Sequence, residues 1–74
     1  MKQYQYFFDC LDGTIGDKYI TAIELNELLT GKSEPMTEKE IIETAADYEA
    51  TLYRREIDEH GNPSKDIMLY DCEF

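Results

Sequence analysis

Residues 37–58, TEKEIIETAADYEATLYRREID, decide the fold class. In the first half Ile41, Ala45 and Tyr48 fall at i, i+4 and i+7, and Ile42 and Ala46 widen the same apolar face. Thr37 followed by Glu40 is a capping box: the hydroxyl accepts from the third helical N–H, and the carboxylate reaches back to the cap. This spacing predicts a helix over 38–49. The second half alternates instead, with Tyr53, Arg55 and Ile57 opposite Leu52, Arg54 and Glu56. Residues 51–58 are therefore read as a strand. A strong amphipathic helix and an alternating strand in one short chain indicate an α+β domain.

Working outward, residues 3–11 (QYQYFFDCL) read as a strand, with Tyr4, Tyr6, Phe8 and Cys10 on one face. Phe7 and Leu11 give the other face apolar character, so both sides are expected to be flanked. Residues 12–17 (DGTIGD) carry turn chemistry, with two glycines between aspartates. Residues 18–20 fit either a short strand pairing back on the first or the lead-in to a helix. Thr21 with Glu24 is a second capping box, and Ala22, Ile23, Leu25, Leu28 and Leu29 follow at helical spacing up to Thr30-Gly31. Pro35 lies in the connector. Residues 59–64 (EHGNPS) form a turn between the strand at 51–58 and a last strand at 66–74, which is a hairpin signature.

The expected architecture is one domain over residues 1–74, ordered β-α-α-β-β. It has a three-stranded, mainly antiparallel sheet with two helices packed on one face. The first strand is expected beside the last.

Charge bounds the function. Seventeen Asp and Glu stand against seven Lys and Arg in 74 residues, for a formal net charge of -10. Nucleic-acid affinity rests on Lys and Arg that neutralise phosphates, so direct DNA or RNA binding is not expected. Acidic lipid surfaces are disfavoured for the same reason. No run of about 18 apolar residues exists to span a membrane. The N-terminus alternates aromatic and polar residues, unlike a signal peptide. Two cysteines, Cys10 and Cys72, are too few for a secreted disulfide framework, and a cytoplasmic protein with reduced thiols is expected.

No catalytic or cofactor motif accompanies the charge, and neither an enzyme nor a bound cofactor is expected. The stretch FDCLDGTIGDKYITAIEL resembles the calcium loop of an EF-hand in its DGTI, but the ligand spacing fails. With Gly13 at position six, position twelve is Tyr19; with Glu24 at position twelve, position six is Lys18. Cys10, Cys72 and His60 lack zinc-ligand spacing. Carboxylates are too abundant for any pair to signal acid/base chemistry.

Two surfaces stand out. On the helix predicted over 38–49, Glu40, Glu43 and Asp47 fall at i, i+3 and i+7, flanked by Glu38 and Glu49. Glu43, Asp47 and Glu49 come too late in the helix to favour its dipole. These five residues, with Tyr53, are the candidate partner-binding set. The partner class they imply is a basic protein surface, including a groove that normally holds nucleic acid. Duplex DNA carries one charge per about 1.7 Å, so ten net charges correspond to about 17 Å of duplex. Short acidic proteins of phages and mobile elements, among them inhibitors of restriction and CRISPR systems, share this size and charge. The second surface is tyrosine-rich: Tyr4, Tyr6, Tyr53 and Tyr70 all fall in predicted strands. Helices on one face only would leave some of these rings open, giving a self-associating module compatible with a homodimer.

Overall fold

A computed structural model of the chain describes residues 3–10 and 13–72. Strand β1 spans Gln3–Asp9, β2 Tyr19–Ile20, helix α1 Ala22–Thr30, α2 Glu38–Asp47, β3 Thr51–Ile57 and β4 Ile67–Tyr70. Both capping boxes form. Thr21 and Thr37 accept from the backbone N–H of Glu24 and Glu40, whose carboxylates return to the cap N–H groups. Gly31, at φ 80, closes α1 in the left-handed conformation that only glycine adopts without cost.

The sheet has four strands, not three, in the order β2-β1-β3-β4, and every strand pairing is antiparallel. The extra strand is Tyr19–Ile20, which pairs with Phe7 and Tyr6. Two residues carry no periodicity, so the segment read equally well as a helix lead-in. The expected neighbour of β1 is also corrected: β3, not the last strand, lies beside it along all seven residues from Gln3↔Ile57 to Asp9↔Thr51. That central pairing sets Phe8 against Leu52, the most buried pair the two strands can make. The last strand is shorter than expected, and residues 73–74 and Leu11 lie outside the described residues.

Register fixes the two faces. Tyr4, Tyr6 and Phe8 share a face with Glu56, Arg54 and Leu52. Both helices pack there. Leu25 of α1 and Ile41 and Ala45 of α2 join Tyr6, Phe8, Ile20 and Leu52 in one buried cluster. Five large side chains are fully buried: Phe8, Ile15, Leu25, Ile41 and Leu52. Each contributes roughly 1.5–3 kcal/mol of transfer free energy. Ile15 comes from the Gly-Asp loop, which is therefore a core plug as well as a turn. Ile23 and Leu28, in the apolar spacing of α1, stay 43% exposed. Among the described residues no helix is long and apolar enough to cross a membrane.

Candidate functional site

The five acidic residues chosen from sequence are all exposed, but they do not form one uniform stripe. At about 100° per residue, Glu40, Glu43 and Asp47 lie on one flank of α2 and Glu38 on the other. Glu38 turns down to the sheet and pairs with Arg54 of β3. The Arg54 guanidinium also stacks on the Tyr4 ring, 4.5 Å from its centroid, so this charge pins the start of α2 onto the sheet. Glu40 is occupied by its cap. Its Oε1 accepts from the N–H and the hydroxyl of Thr37, both at 3.0 Å, and these bonds hold its pKa below the ordinary carboxylate value.

Glu43, Asp47 and Glu49 remain. No cation of the described residues lies within ion-pair distance of them. Tyr48, on the same side of the helix as Ile41 and Ala45, is 36% exposed. The end of α2 is a Schellman turn: the Ala50 N–H donates to Ala45 O and the Glu49 N–H to Ala46 O. Glu49 sits at its left-handed position with φ 54, where glycine is the favoured residue. The last turn of α2 holds no basic residue. Asp47 and Glu49 thus lie at the negative end of a helix dipole, where a carboxylate is unfavourable, with Glu43 one turn before Asp47. Glu43, Asp47 and Glu49 are the members of the acidic set that no cation of the described residues neutralises and no cap occupies.

The tyrosines divide between the two faces. Tyr6 is 5% exposed; burial first, then the nearby Glu38 carboxylate, raises its pKa, with Arg54 opposing. Tyr4 and Tyr70 are half-buried against the same core. Tyr53 alone of the four faces the other way, paired with Phe7 on β1 and Met68 on β4. Tyr19, which sequence reasoning left out, joins it there. Its ring lies 5.2 Å from that of Phe7, and the Arg55 guanidinium sits 3.5 Å from its centroid. Its hydroxyl donates to Asp66 Oδ2 at 2.8 Å, which raises the pKa of Tyr19. Arg55 Nε donates to Gln5 Oε1 at 2.9 Å. Alternation within β1 marked Phe7; nothing local marked Tyr19.

A shallow groove of roughly 380 Å³ runs between β2 and α1, lined by Lys18, Tyr19, Ile20, Glu24, Glu27 and Leu28. The Glu24 carboxylate in it is already engaged by the N–H of Thr21. Cys72 Sγ lies 3.2 Å from Thr51 Oγ1, and Cys10 packs against the core. His60 is exposed in a turn organised by Asp58, whose carboxylate accepts from the N–H groups of His60 and Asn62. Among the described residues no three His, Cys, Asp or Glu side chains cluster as a metal site would require. Comparison with protein-family models, with curated proteins and with solved structures finds no match.

Proposed function

We propose that this chain is a non-enzymatic acidic binding domain that docks on a basic protein surface, as a nucleic-acid-mimicking inhibitor or an adaptor. The observation that carries this reading is the placement of Glu43, Asp47 and Glu49. Glu43 and Asp47 repel each other at i, i+4, and Asp47 lies in the last turn, at the wrong end of the helix dipole. Glu49 holds a backbone conformation that disfavours it. Stability alone would remove all three. Carboxylates kept where they cost stability, with no cation of the described residues beside them, are suited to a cationic partner.

The test is calorimetric titration against a lysine-rich peptide and against a basic duplex-DNA-binding protein. Affinity is expected to fall steeply between about 50 and about 200 mM salt. The triple variant Glu43→Gln, Asp47→Asn, Glu49→Gln should bind about tenfold more weakly, since each exposed ion pair is worth roughly 0.2–1 kcal/mol. A control with the same change in net charge, Glu27→Gln, Glu34→Gln, Glu59→Gln, should bind nearly as the parent does. Equal loss in both variants would show that only total charge matters and would refute the localised docking surface.

A further inference from the structure

The face of the sheet opposite the helices has a composition unlike the rest of the molecule. Among the acidic residues described, only Asp9 occupies a strand position on it, with Asp66 at its border. Tyr19, Phe7, Tyr53 and Met68 form one row across it from edge strand to edge strand, and Met68 is 53% exposed. Arg55 is the one cation among them. Aromatic residues, Met and Arg enriched with Asp, Glu and Lys depleted is the composition of an interface core. No helix or strand of the described residues covers this face.

The face is also held ready. Tyr19 is fixed on three sides, by the Phe7 ring, the Arg55 guanidinium and the Asp66 carboxylate, and Arg55 is fixed in turn by Gln5. Rings ordered before contact lose little entropy on association. We infer that this sheet face is a self-association surface, and that its occupant is the same face of a second copy of this chain.

Charge selects that occupant. A cationic partner is drawn to the carboxylates of the helices, not to a face whose Arg55 lies at its centre. A nucleic acid would find a single cation on this face, Arg55, which Gln5 and the Tyr19 ring already engage. A second copy brings a near-neutral face of matching pleat, and sheets pack face to face at about 10 Å with such side chains between them. The seven residues of β1 and three inter-strand spacings give a patch of about 23 by 14 Å. The buried area per copy, about 400 Å² with its margin, is near half that of a standard interface. The dimer is therefore weak and reversible, and the repulsion between two copies of charge -10 weakens it further at low salt.

This gives the opposite salt response to docking on a basic partner, so either proposal can fail without the other. Sedimentation equilibrium should show dimerisation that strengthens as salt rises from about 0.02 to about 0.5 M. Met68→Lys, at an exposed position of the edge strand, should weaken the dimer at least about tenfold with the unfolding midpoint of the monomer unchanged. Tyr53→Ser should weaken the dimer as well, read with the monomer's own midpoint because the ring is half-buried in a central strand. The Glu43, Asp47, Glu49 triple variant should dimerise as well as the parent or better. Concentration-dependent amide shifts, which need no substitution, should map to the four strands and not to α1 or α2. A chain that stays monomeric at about 1 mM in high salt overturns the inference. So does a dimer that survives Met68→Lys and Tyr53→Ser, or one whose shifts map to the helices.

Discussion

Glu49 shows what one residue can cost. It occupies the left-handed position of a complete Schellman turn, between an exposed helix end and the buried Ala50. A side chain with a Cβ is disfavoured there by about 1 kcal/mol relative to glycine. Glu49→Gly should raise stability by about that amount, which in a domain of this size moves the thermal midpoint up roughly 4–8 °C. Thermal unfolding followed by circular dichroism checks it; a lower midpoint would show that the carboxylate has a stabilising partner. Binding to a basic probe should weaken in the same variant. The sequence placed Glu49 as the last residue of a helix over 38–49; the helix instead ends at Asp47 and Glu49 turns left-handed, because the turn follows from where Ala50 must go to be buried.

The two helices are specified by their ends. Each begins with a Thr whose hydroxyl and a Glu whose carboxylate exchange hydrogen bonds with the other's backbone, so the first turn is closed locally. In α2 the bonds from Thr37 lower the pKa of Glu40 in the folded state. A carboxyl whose folded pKa is depressed stabilises the fold fully above its unfolded value, about 4.3, and loses that contribution as pH falls through the folded value. Glu40→Gln keeps the reciprocal hydrogen bond and removes the titration. The variant should be less stable than the parent near neutral pH, and the gap should close as pH drops below the carboxylate range. Denaturant unfolding over a pH series measures the gap, and a gap that is constant with pH would contradict the assignment. Both capping boxes were legible because their partners lie three residues apart. β2 was legible only as one of two alternatives, since Tyr19–Ile20 is a strand only by virtue of Tyr6 and Phe7 beside it.

At the scale of the molecule, a net charge of -10 on 74 residues opposes compaction. Screening should therefore stabilise the fold, and its thermal midpoint should rise between about 0.02 and about 0.5 M sodium chloride, measured by calorimetry at low protein concentration where dimers are absent. A falling midpoint would mean that ion pairs such as Glu38–Arg54 outweigh the repulsion. The sequence by itself determined the acidic excess, the two capped helices, the alternating β1 and β3, and the α+β class. Each of those signals is written in residues a few positions apart or in simple totals. Only the tertiary structure decided that β1 lies against β3, that Ile15 leaves a loop to fill the core, that Arg54 neutralises Glu38, and that Phe7, Tyr19, Tyr53 and Met68 meet on the uncovered face. These contacts join residues distant in the chain, and they form when burying the shared core outweighs the entropy of closing the loops between them.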